Sequence, residues 1–562
     1  MTRRNLLKIL TITCFYSIFL FLGMTQLELN FSRSSYAVGD LIDMFPFSAW
    51  IYLISLPFGL LFVYKFCKRL AWTIPFALAA ILLIIFSFAQ YPSTFHWDTF
   101  YHSATAKRVA SEGHISPDMG YMVYPGTAIF SAIVSNILGL LILETSKALA
   151  AFWILLIVLI LFCIGRLFAK TKVELADMSW LVPTIYLAFN FVLYNNYHYS
   201  PQLLGIYLYI FLVYVCVKKL RSEARTLNVI LMLLLSTLTI THVFSGLISV
   251  VMLFCVYIGG TKMRASKLSL KRHIPLTLIM FGALVFLSWH IFVATGPFEE
   301  SVSSLSALIK GEKTTIGPEA FLYNPREQWM LTPFLNLYRY GIYVLLGLAS
   351  AVGLLFSWRK EEGKLVFWLA VGVLLGVLVI YLTPATFGIG RLVHYGAAIV
   401  SILSLFAIVK KNNGSHALTI NRVFNVLRER ASALFKVILP FLVIGTFLVT
   451  NLYDCRFVQF VHPDEIAAIE FVTQKNTRQI SAVIEYAYLI PFFMREPLPM
   501  ITIDERAPPD IAKITFEDGE LSLQYLPRQL YSYKLGFVEG RNHLIYSNGL
   551  GRIYVRVNAS SP

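Results

Sequence analysis

The sequence predicts an all-α polytopic membrane protein of about thirteen transmembrane helices plus one juxtamembrane or re-entrant helix, followed by a small extracytoplasmic α/β domain. Three observations lead there. Of the 562 residues, 57% are hydrophobic and 14% charged, and the mean hydropathy is +0.68; a soluble domain carries about 25% charged residues. Apolar runs of about 20 residues, each enough to cross a bilayer, recur as far as residue 451 and then stop. The 44 Phe, 30 Tyr and 9 Trp suit lipid-facing surfaces and interfacial belts. This composition excludes a soluble enzyme and a disordered chain.

The apolar stretches fall at 6–24, 46–64, 70–90, 123–143, 148–166, 179–195, 202–217, 227–241, 244–260, 274–294, 338–357, 365–383, 392–409 and 433–451. If all of them crossed from a cytoplasmic N-terminus, the basic loops after 166, 217, 260, 357 and 409 would lie outside, against the positive-inside rule. The segment 123–143 opens Val123-Tyr124-Pro125-Gly126, and Pro with Gly suits a helix that enters and returns against protein. With that segment not crossing, 27 Lys and Arg lie inside, from Arg3, Arg4 and Lys8 to Arg428, Arg430 and Lys436, and nine lie outside. The N-terminus is then cytoplasmic and the C-terminus extracytoplasmic. The net charge of +16 is accounted for by topology, so no nucleic-acid partner is implied.

Arg3, Arg4, Lys8 and the apolar run to Gly23 have no clear small-residue cleavage site after them and read as an uncleaved first helix. Of the six cysteines, four lie in apolar spans, Cys67 in a basic loop and Cys455 in the tail; no disulfide framework follows. Two domains result: a membrane domain, 1–451, whose outer loop 91–122 holds the densest polar sequence, and a soluble domain, 452–562. The tail carries a helical pattern at about 463–475. It then has β-like runs at Ser481–Tyr488, Met500–Ile503, Ala512–Phe516, Leu521–Tyr525, Leu544–Tyr546 and Arg552–Val557, with hairpin signals at Asp518-Gly519 and Asn548-Gly549.

The apolar spans hold almost no acids, whereas ion-coupled transporters and proton relays place charges there. His290 and His394 are singletons near span ends. The outer loop instead reads FHWDTFYHSATAKRVASEGHISPDMGYMVYPG over 95–126. Asp98 opens a helical stretch from Thr99 to about Ser111, ended by Gly113, and His102, Thr105 and Val109 share its face. Two readings of Asp98 are open: an N-cap that satisfies free backbone N–H groups, and a catalytic carboxylate. His96 and His102 flank it, but His-x-Asp-x3-His without a fourth ligand is weak ground for a metal site. Tyr101 and Tyr124 belong to the same loop. Elsewhere on the outer side, His198 and Gln202 lie in YNNYHYSPQ, His242 lies between two apolar runs, and Arg391 follows Gly-Ile-Gly at a span start. An Arg there can anchor the span or hold a phosphate with two N–H donors.

Trp97-Asp98-Thr99-Phe100-Tyr101-His102, the A-x-x-V-A-x-x-G run at 106–113 and Tyr124-Pro125 resemble the C-type glycosyltransferase superfamily. That superfamily includes protein O-mannosyltransferases, the aminoarabinose lipid A transferase and oligosaccharyltransferase catalytic subunits. The motif covers about 30 residues, and the thirteen-span layout with an outer tail extends the resemblance to the whole chain. The resemblance implies a C-type fold, a polyprenyl-phosphate-linked sugar donor, transfer on the outer face, and Asp98 as general base. The substrate-binding candidates, read from their places in the outer loop and outer turns, are His96, Tyr101, His102, Tyr124, His198, Gln202, His242 and Arg391. Several members carry a second acid where this chain has Thr99, so roles that need an acidic pair, metal use among them, do not transfer.

The expected function is therefore membrane glycosyl transfer to a glycan, lipid or protein acceptor. No cofactor is required, a divalent metal is left open, and membrane lipid is a partner. No Walker loop or dinucleotide fingerprint is present. Two alternatives stand beside it: a polysaccharide polymerase or ligase using lipid-diphosphate glycans, and a lipid-linked-glycan flippase. A polymerase or ligase would rest on several outer-loop arginines, where Arg391 and Arg339 are the main ones near the membrane. A flippase would show internal repeats and intramembrane polar sites.

Overall fold

A computed structural model describes residues 73–79, 97–115, 123–169, 179–192, 199–219, 224–262, 274–296, 361–382 and 390–408 as continuous segments. It also describes scattered positions within 51–63, 298–355 and 438–443, and the backbone of six strands between 479 and 556. The expected helices at 6–24 and 463–475 lie outside the described residues.

Eleven helices are delimited among the described residues. They are α1 (Thr73–Ala79), α2 (Trp97–Glu112), α3 (Gly126–Leu138), α4 (Ile142–Ala169), α5 (Leu181–Val192), α6 (Pro201–Lys219), α7 (Thr226–Thr241), α8 (Val243–Lys262), α9 (Leu276–Phe292), α10 (Glu361–Leu382) and α11 (Gly390–Ile408). Among them Ile142–Phe168 and Pro201–Lys219 are long and apolar enough to cross a bilayer, and Gly126–Leu138, Thr226–Thr241, Val243–Gly259, Leu276–Phe292, Gly363–Val379 and His394–Leu405 are shorter apolar helices.

The segment expected to enter and return, 123–143, holds one short helix, α3, and the first two residues of α4. α3 has 13 residues, about 20 Å of rise against a hydrocarbon core of about 30 Å. Gly139 ends it at φ 65°, a left-handed conformation that favours glycine. The Leu140 N–H donates to the Ser135 carbonyl at 3.2 Å, and the Ser135 hydroxyl donates to the Leu140 carbonyl at 2.6 Å. α4 then begins at Ile142, six residues before the expected span at 148–166. Its early charges belong to the helix rather than to a loop: Glu144 is exposed in the first turn, where a carboxylate favours the positive end of the helix dipole.

Other boundaries follow local chemistry. Pro201 starts α6, where its missing N–H costs nothing, and the Ser200 hydroxyl accepts the Leu203 N–H at 3.3 Å. His242 alone separates α7 from α8, in extended backbone (φ −160°, ψ 124°). Its N–H donates to Leu238 and its carbonyl accepts from Gly246, so one residue closes one helix and opens the next.

The core packs Trp153, Trp180, Tyr186, Tyr199, Tyr209 and Tyr395, all fully buried, among Leu, Ile and Val of α1 and α4 to α11. The outward faces are also apolar: Ile137, Leu284, Phe292 and Leu374 are 65–79% exposed. Cys163, Cys216 and Cys255 are free thiols.

The strands form one six-stranded sheet in the order β2-β1-β3-β4-β6-β5, with β1 (Gln479–Ala482) parallel to β2 (Met500–Ile503) and the other pairs antiparallel. β3 is Ile511–Phe516, β4 Gly519–Tyr525, β5 Asn542–Ser547 and β6 Gly551–Arg556. Phe516 pairs with Gly519, so the two residues between the strands are Glu517 and Asp518 rather than the expected Asp518-Gly519. β1 begins two residues before the expected Ser481, in the register that pairs Gln479 with Met500.

Candidate functional site

α2 is the scaffold of the outer loop. It runs from Trp97 to Glu112, starting two residues earlier than expected, and Gly113 closes it at φ 70°. Asp98 therefore lies in the first turn of the helix. An acid there favours the helix dipole whatever else it does. The face on which position 98 falls is buried one and two turns on, at His102 and Thr105. Tyr101 is half-buried, with its ring edge-on to His102 at 5.3 Å between centroids. Thr99, beside Asp98, is 3% exposed. A carboxylate placed there would be a buried charge, costly unless paired.

A polar seam ties α2 to its neighbours. The Ser103 hydroxyl donates to Ser146 of α4 at 2.9 Å, and Ser146 donates to the Ile142 carbonyl at 2.8 Å. The Tyr199 hydroxyl lies 2.5 Å from Ser131 of α3 and 3.3 Å from the Thr127 carbonyl, with its ring stacked on Trp153. Burial pushes that hydroxyl well above the ordinary phenol range, so it stays protonated.

Tyr124 and His290, far apart in sequence, meet. The His290 Nδ1–H donates to the Phe286 carbonyl at 2.8 Å. In the neutral ring this leaves Nε2 to accept the Tyr124 hydroxyl at 3.1 Å. The Trp289 indole N–H donates to the Val123 carbonyl at 3.0 Å. The Val-Tyr-Pro-Gly opening of α3 is thus pinned to the end of α9.

His242 is 3% exposed and joins a second cluster. Its Nδ1 is 3.1 Å from the Ser245 hydroxyl and 3.3 Å from the Tyr395 hydroxyl, and these two hydroxyls are 2.6 Å apart. Gly205, one turn from the buried Gln202 on α6, permits this approach: a Cβ there would overlap the Ser245 hydroxyl and lie 3.1 Å from His242 Cβ. Arg391 lies in the first turn of α11, one turn before Tyr395. The side chains of Asp98 and Arg391, and the whole of His96 and His198, lie outside the described residues. Among the described residues no three His, Cys, Asp or Glu side chains form a group that could hold a metal ion.

These contacts sort helix ends. Gly126 at the start of α3 meets Thr241 at the end of α7, and Gly205 near the start of α6 meets His242 and Ser245. Tyr395 near the start of α11 meets Ser245, and Tyr124 meets the end of α9. All of these are ends that the charge pattern groups on one side. At the opposite ends, Gly165 of α4 lies against Ser179 and Gly259 of α8 against Trp368 of α10. The basic residues Arg166, Lys218 and Lys219 occupy last turns of α4 and α6.

No protein-family model matches the chain, and no curated protein matches it by sequence. Among solved structures it is similar to ArnT from Cupriavidus metallidurans bound to undecaprenyl phosphate, at 12% identity and a TM-score of 0.49, over 88% of this chain and 99% of that one. It is also similar to the Archaeoglobus fulgidus oligosaccharyltransferase tethered with an acceptor peptide, at 12% identity and a TM-score of 0.46, over 79% of this chain and 64% of that one.

Sequence reasoning singled out Tyr124 and His242 but not the partners that hold them. His290 read as a lone histidine near a span end, and Ser245, Tyr395, Ser103, Ser146 and Tyr199 were not singled out. A faint signal existed for two of them. Ser245 follows His242 by three residues and Tyr395 follows Arg391 by four, spacings that share a helix face.

Proposed function

We propose that the protein is an integral membrane glycosyltransferase of the hexosyl- or pentosyltransferase class. It moves one sugar, with inversion, from a polyprenyl-phosphate carrier to a glycan, lipid or protein acceptor on the extracytoplasmic face. The observation that carries this reading is the gathering of Tyr124, the Gln202 turn, His242 and the first turns of α11 at one set of helix ends. The resemblance of residues 97–125 supports it, as do the apolar outward faces, which suit lipid tails.

In this reading the chain crosses the membrane thirteen times, with 1–451 as the membrane domain and 452–562 as an outer domain that includes the sheet. The donor's tail stays in the bilayer and its phosphate lies at the interface. Arg391 holds that phosphate with two N–H donors and stabilises the charge that grows on it as it leaves. Asp98 accepts the proton of the acceptor hydroxyl or amine as that group bonds to the anomeric carbon. The bond from that carbon to the phosphate oxygen breaks, and polyprenyl phosphate departs. No step requires a metal.

Two experiments test the reading. Purified protein incubated with a panel of polyprenyl-phosphate sugars and candidate acceptors should release polyprenyl phosphate from at least one donor. Release from none, with folded protein, overturns the donor class. For orientation, a membrane-impermeant thiol reagent should label a cysteine placed at Ser560 and spare one placed at Ser415. The reverse pattern overturns the outer-face assignment and every role built on it.

A further inference from the structure

We infer that the Ser245–Tyr395–His242 cluster is a positioning device for Arg391, setting how well the site recognises a lipid-borne phosphate. The inference rests on the reading of Arg391 as the phosphate ligand. It begins from placement. Arg391 and Tyr395 are four residues apart on the continuous helix Gly390–Ile408, so they occupy neighbouring positions on one face, one turn apart. Arg391 is in the first turn, where helices fray most readily because the leading N–H groups have no partner within the helix. The Tyr395 side chain, one turn on, reaches Ser245 at the start of α8 and His242 in the turn before it.

The tie is strong for its size. The Tyr395 hydroxyl is fully buried, 2.6 Å from Ser245 and 3.3 Å from His242 Nδ1. The ring is held independently, edge-on to Tyr209 at 5.2 Å. Ser245 sits in the first turn of α8 and His242 is the single residue joining α7 to α8. The cluster therefore fixes the start of α11 against a turn that is itself one residue long. A guanidinium fork recognises phosphate through two N–H groups in a fixed geometry, and that geometry is sensitive to small rotations of the turn that carries it. The hydroxyl group of Tyr395 is the part of the device that can be removed without removing packing.

The test compares the binding of a polyprenyl phosphate with that of the corresponding polyprenol to the purified full chain in detergent. The ratio of the two Kd values reads phosphate recognition and cancels contributions of the lipid tail. Tyr395→Phe, which keeps the ring, should lower the preference for the phosphate about tenfold, leaving polyprenol Kd and melting temperature close to wild type. Ser245→Ala should give the same signature and serves if Tyr395→Phe does not fold. Arg391→Ala should abolish the preference, and adding Tyr395→Phe to it should change nothing further. If Arg391→Ala loses the preference but neither Tyr395→Phe nor Ser245→Ala lowers it, the positioning role is overturned and the phosphate reading stands. Independent, additive losses in the double variant overturn it too. If Arg391→Ala keeps the preference, the phosphate reading fails and the inference falls with it.

Discussion

Asp98→Asn is expected to abolish sugar transfer while leaving expression, melting temperature in detergent and binding of the lipid donor close to wild type. The structural role of an acid at this position is modest. In the first turn of α2 a carboxylate gains about 0.3–1 kcal/mol from the helix dipole. Asn keeps the size and gives up only that interaction, so folding should change little. A general base needs a group that accepts a proton, which the amide does not. Loss of such a base costs about 100- to 10,000-fold in rate. Asp98→Glu keeps the carboxylate displaced by one methylene and should be impaired but measurable. Transfer by Asp98→Asn at near wild-type rate would make Asp98 a helix-end residue and nothing more.

Gly205→Ala is expected to lower the melting temperature clearly, and Gly205→Val to lower it further, while Gly396→Ala leaves it unchanged or raises it. A Cβ at Gly205 would overlap the Ser245 hydroxyl and meet the Cβ atoms of both His242 and Ser245 at 3.1 Å. Ser245 is wholly buried and already bonded to His242 and Tyr395, so relief requires α6 and α8 to separate. Overpacking of this kind costs about 1–3 kcal/mol. Gly396 lies next to Tyr395 on α11, and among the described residues a Cβ there meets nothing within 4 Å. Alanine at that position gains up to about 1 kcal/mol of helix propensity. Thermal melts of the three variants in one detergent decide the matter. If Gly205→Ala melts with wild type, the close approach of α6 to α8 is not what holds this end together.

Hydropathy and charge locate helices well because burial in lipid and the basic-residue bias act on every residue of a span. The stretches at 202–217, 227–241 and 244–260 correspond to α6, α7 and α8 within about two residues at each end, the usual scatter of helix boundaries. The Gly113 stop was legible for the same local reason: a backbone with positive φ favours glycine whatever surrounds it. The start of α4 was misplaced because Glu144 and Lys147 look like loop residues in an averaged window. On the helix, Glu144 is exposed to one side while Leu143 and Ser146 are buried on another, and an average over all directions erases that distinction.

Composition, the apolar stretches, the loops that carry the basic residues, and the local stops at Gly113 and His242 all follow from the chain read in order, because each depends on residues within a few turns of one another. Which side chains meet does not. Tyr124 with His290, Ser103 with Ser146, and His242 with Tyr395 are separated by 166, 43 and 153 residues. Their meeting depends on how tightly the helices approach, and that was decided by small residues such as Gly126 and Gly205, whose missing side chains matter only once a neighbour is in place. A hydrogen bond of that kind is a property of two surfaces brought together by burial, and one strand of sequence carries no record of its partner.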